Sequence, residues 1–191
     1  MDFTLHEDEL VEKMVYTGQK IRSQAYVDCV FKKCDLSDSD FSHNRFTDCR
    51  FEGCNLSTLK LRGTTLSNAV FVDCKITGVN FGECDDFLFS VSFTGCVLDY
   101  SAFVSRKMVK TNFIKTSLKE VNFTQVNLTG SLFDHTDLAG AIFDETNLSG
   151  ANLVTAYNFV IDPELNSIKK ASFSMDGLPG LLMKHQIMVN G

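Results

Sequence analysis

The chain has 191 residues, 44% of them hydrophobic, with 24 acidic against 18 basic side chains and a net charge of −6. One domain is expected at this length, and the acidic balance argues against direct nucleic-acid binding as the main activity. The sequence shows neither a secretory signal nor an apolar run long enough to span a bilayer, so a cytoplasmic location without membrane association is expected.

Residues 1–13 read as an acidic N-terminal segment, because Met1–Glu12 contains five acids and no Lys or Arg. A repeat body, 14–158, follows. From Tyr16 through Ile21, Tyr26 and Phe31 to Phe81, every fifth residue is large and apolar. After a slip of two residues the series resumes at Leu88 and runs through Phe93 and Leu98 to Leu153, giving twenty-eight sites without an exception. Neither a helix nor a straight strand can bury such a pattern. Five residues turn a helix by about 140°, and residues five apart in a strand point to opposite faces. A chain that bends at every repeat buries all of them against one axis. Four bends close a square coil of twenty residues, and stacked coils pair as parallel strands about 4.8 Å apart. Twenty-eight repeats make about seven coils.

Two places before each large residue stand mostly small side chains, among them Cys34, Cys54, Cys74, Thr116 and Ala151, with Arg106 the strongest departure. Two places after it lie eight of the twelve glycines, from Gly18 to Gly150, which puts the corners there. The seven cysteines all occupy the inward small-residue site. They read as reduced core thiols, with loose zinc spacing at Cys29/Cys34 and Cys49/Cys54 as the alternative. His43 and His135 fall at corners, where solvated side chains are expected. No phosphate loop, nucleophile elbow or paired-carboxylate motif stands out, so no catalytic residue, metal ligand or cofactor site is assigned.

The slip at 82–87 carries Glu83, Asp85 and Asp86, with Phe87 and Phe89 outside the large-residue register. It is either a bulge that the solenoid absorbs or a partner contact, which would tune binding without supporting the fold. A basic stretch follows (Arg106, Lys107, Lys110, Lys115, Lys119). Between Glu120 and Ile168 there are then seven acids, including Asp134, Asp137, Asp144 and Glu145, and no Lys or Arg. This is either a solvated face or an anionic surface for a cationic groove. The last module, 159–191, is expected to cap the solenoid end. Leu178, Leu181 and Leu182 suit one face of a short helix, and Ile187 and Val189 a short strand. The module is either a plain cap or a cap that joins a homodimer.

The units Cys34-Asp35-Leu36-Ser37-Asp38, Ala141-Ile142-Phe143-Asp144-Glu145 and Ala151-Asn152-Leu153-Val154-Thr155 resemble the A(D/N)LxX unit of the pentapeptide-repeat family. That family's fold is an all-β, right-handed quadrilateral parallel β-helix. Gly18-Gln19-Lys20-Ile21 is similar to the start of Qnr quinolone-resistance proteins. The stretches Val72–Asn80 and Tyr157–Ser174 are similar to the albicidin-resistance protein of the same group, and the microcin-immunity protein has a related layout. The resemblance implies a non-enzymatic, dimeric protein that interacts with DNA gyrase, or with topoisomerase IV, through a DNA-like acidic surface and protects it from a poison. Glu83, Asp85, Asp86, Asp134, Asp137, Asp144 and Glu145 are then the expected partner contacts. The competing expectation is a rigid interaction scaffold with a different protein partner.

Overall fold

The computed structural model describes residues 3–187. The chain winds as a square coil whose successive turns are joined by parallel pairing. No strand can outlast the interval between two corners, so the strands are short: β1 (Thr4–Glu7), β2 (Leu10–Glu12), β3 (Gln24–Val27), β4 (Val30–Lys32), β5 (Arg45–Thr47), β6 (Arg50–Glu52), β7 (Thr65–Ser67), β8 (Ala69–Val72), β9 (Val91–Thr94), β10 (Asn112–Ile114), β11 (Leu132–Asp134), β12 (Asn152–Leu153) and β13 (Ser172–Phe173). The first wall holds β1-β3-β5-β7, continued by the ladder Lys107, Asn127, Asn147, Ser167. The second wall is a nine-stranded sheet, β13-β12-β11-β10-β9-β8-β6-β4-β2. Single bridges build the other two walls: Val15 to Asp35 and on to Tyr157 on the third, and Lys20, Asp40, Lys60, then Asn80 to Ile142, on the fourth. Phe31 pairs with Phe51 and Phe51 with Phe71, a step of twenty; across the slip Phe71 pairs with Phe93.

The fifth-position side chains fill the axis. On the second wall the rings of Phe31, Phe51, Phe71, Phe93, Phe113 and Phe133 stack at 4.8, 4.9, 5.2, 5.5 and 5.0 Å. On the fourth wall Phe81, Phe103, Phe123 and Phe143 stack at 4.6, 5.5 and 5.3 Å. The two stacks meet edge to face, as Phe93 does against Phe103 at 6.0 Å and 70°. Stacking along the axis and edge contact across it both suit the ring quadrupole. All seven cysteines are buried. The Cys54 thiol donates to the Phe31 carbonyl one coil back at 3.3 Å, and its sulfur accepts the Cys34 N–H at 3.4 Å. Burial pushes the Cys49 and Cys84 thiols up to about 12. Among the described residues no cluster of three or more His, Cys, Asp or Glu is placed to hold a metal.

Three boundaries differ from the sequence reading. Residues of the acidic N-terminal segment are part of the solenoid: β1 and β2 form its first coil, pairing with β3 and β4. Their inward sites are His6, stacked on Tyr26 at 4.7 Å, and the half-buried Val11. A histidine at a large-residue site hides the period. At the other end β13 pairs with β12, so the coil extends past residue 158. The cap proper is α1 (Pro179–Leu182), followed by a 3-10 turn, Met183–His185. Gly180 lets the helix close on the coil: a Cβ there would lie 2.3 Å from the Phe159 carbonyl oxygen. The second wall thus contains nine strands where about seven coils were expected. Third, Leu88 does not point inward. It sits at a corner with φ +58 and is 60% exposed, while Phe89, half-buried, packs on the core. The two extra residues fall after that corner, so the strand restarts at Val91 and Phe89 folds back over the gap.

Candidate interaction surfaces

The slip is tied down by Arg106. This side chain occupies the inward small-residue site above Cys84 and is 7% exposed. Its Nη1 donates to Asp86 Oδ1 at 2.5 Å and its Nη2 to the Gly82 carbonyl at 2.6 Å. The guanidinium lies 5.5 Å from the centre of the Phe89 ring, and Nε, buried, has no partner. Asp85 Oδ1 accepts the Phe87 N–H at 3.0 Å, and Glu83 accepts from the Asn80 amide at 3.2 Å. The slip is therefore built into the fold through Asp86, contrary to the expectation that all three acids are structurally idle. The sequence signal was the single arginine in a column of small residues.

The acids of the C-terminal run do not share a face. Asp134 ends β11 on the second wall, Asp137 lies on the third, and Asp144 and Glu145 fall at the fourth wall and its corner with the first. A twenty-residue coil spreads a contiguous run around the rod. Several of these acids are also engaged. The Thr155 hydroxyl and then His135 hold Asp134 below the usual carboxylate range. Partial burial raises Asp137, but the Asn158 amide, the Ala139 N–H and Lys119, whose Nζ is 3.3 Å away, outweigh it and leave it lowered. Glu145 accepts from the Gln125 amide at 2.8 Å. Asp162 and Glu164 both pair with Lys184, at 2.7 and 2.6 Å.

An aligned set of acids lies elsewhere. Asp8, Asp28 and Asp48, with φ 54, 52 and 54, occupy successive corners between the first and second walls and are exposed. Asn68 continues the row, its amide donating to Asp48 at 2.7 Å, and Leu88 follows at the next coil. The spacing of twenty between these aspartates was readable in the sequence. A search within a contiguous stretch misses it.

At the C-terminal end, Leu178, Leu182 and Ile187 are 38%, 37% and 55% exposed, beside Met175 at 81% and Met183 at 58%. Leu181 instead packs against the core, and Ile187 lies outside any strand. Val189 lies outside the described residues. An open depression of about 630 Å³ beside this surface is lined by Tyr157, Phe159, Asp176 and Met183 among others. Its titratable lining groups are Tyr157 and Asp176. Among the described residues no helix is long and apolar enough to cross a membrane.

The geometry defines a parallel β-solenoid whose surface offers walls and edges. Family models described as pentapeptide repeat region and pentapeptide repeats (8 copies) match residues 26–103 and residues 103–134 and 122–156. The chain belongs to the pentapeptide-repeat family. Two trypsin-treated forms of QnrB1, a plasmid-mediated fluoroquinolone resistance protein, are similar in structure, each with a TM-score of 0.64 and 17% identity. The first covers 98% of both chains and the second 100% of both. Full-length QnrB1 gives 0.56 at 17% identity, over 96% of this chain and 100% of that one. No curated protein sequence matches the chain significantly.

Proposed function

We propose that this protein is a non-enzymatic, cytoplasmic, dimeric partner of a type II topoisomerase, DNA gyrase first, and shields it from a poison. The observation that carries the reading is a stiff rod bearing carboxylates at coil spacing on its edges, Asp8, Asp28 and Asp48 among them. Duplex DNA presents a negative charge about every 1.7 Å of axis to the enzyme's basic groove, and a stiff anionic rod competes for that groove coarsely. The likeness to a fluoroquinolone resistance protein over nearly the whole chain supports it, as does the sequence resemblance to the Qnr and albicidin-resistance group. The acids Glu83, Asp85, Asp86, Asp134, Asp137, Asp144 and Glu145 contribute to the surface potential. The exposed apolar residues of the cap, Leu178, Leu182 and Ile187, form the dimer contact.

The test is a supercoiling assay with purified gyrase inhibited by a quinolone, by albicidin or by a microcin. Adding the protein restores supercoiling against at least one of them, and the effect weakens with salt because the competition is electrostatic. Absence of rescue against all three, together with no gyrase binding at low salt, leaves a rigid scaffold for another partner as the better reading. The dispersal of Asp134, Asp137, Asp144 and Glu145 over three walls is the observation that favours that second reading.

A further inference from the structure

The edge between the first and second walls changes character along its length. It begins with the exposed carboxylates of Asp8, Asp28 and Asp48, one per coil, and passes through Asn68 to Leu88. Four coil steps span about 19 Å. Beside Leu88 stands Phe87. The two adjacent side chains are 60% and 70% exposed, a pairing that a soluble rod gains nothing from by itself. Leu88 also adopts φ +58, a left-handed conformation that is costly for a branched side chain. The residues on either side of the pair are anchored: Arg106, buried, grips Asp86 and the Gly82 carbonyl before it and lies over Phe89 after it. An insertion held by a buried guanidinium presents its apolar tip with little ordering entropy left to lose on binding. Lys110 occupies the same edge one coil further on, so the apolar knob stands between the carboxylates and a basic side chain.

We propose that this edge is the principal recognition surface, with Phe87 and Leu88 as its apolar anchor and Arg106 as the residue that positions them. The partner is a protein surface with a row of basic side chains leading into an apolar socket. Charge complementarity supplies the basic row, and the paired exposed hydrophobics at its end supply the socket. The inference rests on the topoisomerase reading for the identity of that protein.

The experiment is equilibrium titration of purified gyrase at low salt with the full chain and four variants: F87S/L88S, D8N/D28N/D48N, D134N/D137N/D144N/E145Q and Arg106→Gln. The altered side chains of the first two are exposed, and unchanged melting temperatures confirm the fold. F87S/L88S weakens binding at least tenfold while leaving its salt dependence intact. D8N/D28N/D48N weakens it to a similar extent and flattens the salt dependence. The fourfold variant changes it by less than threefold. Arg106→Gln speeds amide exchange over residues 86–90 and weakens binding in parallel. Normal binding by F87S/L88S, or a loss confined to the fourfold variant, overturns this edge while the topoisomerase reading stands. Failure of the unaltered protein to bind gyrase overturns that reading, and the inference falls with it.

Discussion

Most corners of the coil place one residue at φ near +60°, a region in which a Cβ costs roughly 1–2 kcal/mol. What a glycine corner tolerates then depends on what lies beside it. At Gly18 (φ +70) a Cβ meets nothing within 4 Å, whereas at Gly63 (φ +62) it comes within 2.6 Å of His43 Nδ1. Gly18→Ala is expected to cost about 1 kcal/mol and Gly63→Ala clearly more. The double variant His43→Ala/Gly63→Ala should recover the excess, read as urea midpoints. In the axis, Phe113→Ala opens a cavity between two stacked rings and is expected to cost about 3–5 kcal/mol. Two of the buried thiols contribute to the loss of stability at alkaline pH. Cys49 and Cys84 ionise near 12 in the fold against an ordinary 9.0. The folded state therefore holds these protons more tightly, and their contribution is complete below pH 9. It is lost as pH rises from 9 toward 12, by up to about 1.4 kcal/mol per group per pH unit. A Cys49→Ser/Cys84→Ser variant starts less stable but loses less between pH 8 and 10.5; equal slopes would exclude these two thiols as a cause.

Among the elements, the slip shows how a local insertion is reconciled with a strict repeat. Glu83 and Asp85 are exposed, and changing both to Ser is expected to move stability by less than about 0.5 kcal/mol. Asp86→Ser removes the carboxylate from a buried guanidinium whose Nε already lacks a partner. Because Asp86 itself is exposed, the expected loss is roughly 1–2 kcal/mol. Thermal unfolding of the two variants side by side separates the effects. The coil, its corners and its inward cysteines were legible because a period of five leaves one way to bury the large residues. The ends were less so, since His6 breaks the apolar series in the first coil and the last coil irregularly buries Phe159 and Ile161. The surfaces were least legible. A linear run such as Asp134 to Glu145 wraps around three walls, while Asp8, Asp28 and Asp48 become neighbours only through the coil.

For the whole molecule, the two ends of the rod are unlike. Among the described residues β1 and β2 have no partner strand on their outer side, whereas the last coil is closed by α1 and the turn after it. The outer surface of that cap carries exposed apolar side chains beside Asp176, Lys184 and His185: Met175, Met183 and Ile187 are each more than half exposed, and Leu178 and Leu182 more than a third. Leu181 faces the other way, onto the coil. The cap thus separates a side chain that seals the solenoid from side chains free to meet a second copy. A symmetric contact through the free ones would join two rods end to end and double the length of surface presented to a partner. Light scattering is expected to give about twice the 21.3 kDa chain mass. Leu182→Glu/Ile187→Glu should halve that mass with little change in the melting temperature of the coil, since both side chains are exposed in the single chain. Leu181→Glu should instead lower the melting temperature, because it places a charge against the core. A full-length protein that scatters as one chain would remove the dimer, and a dimer that survives Leu182→Glu/Ile187→Glu would place its contact elsewhere on the rod.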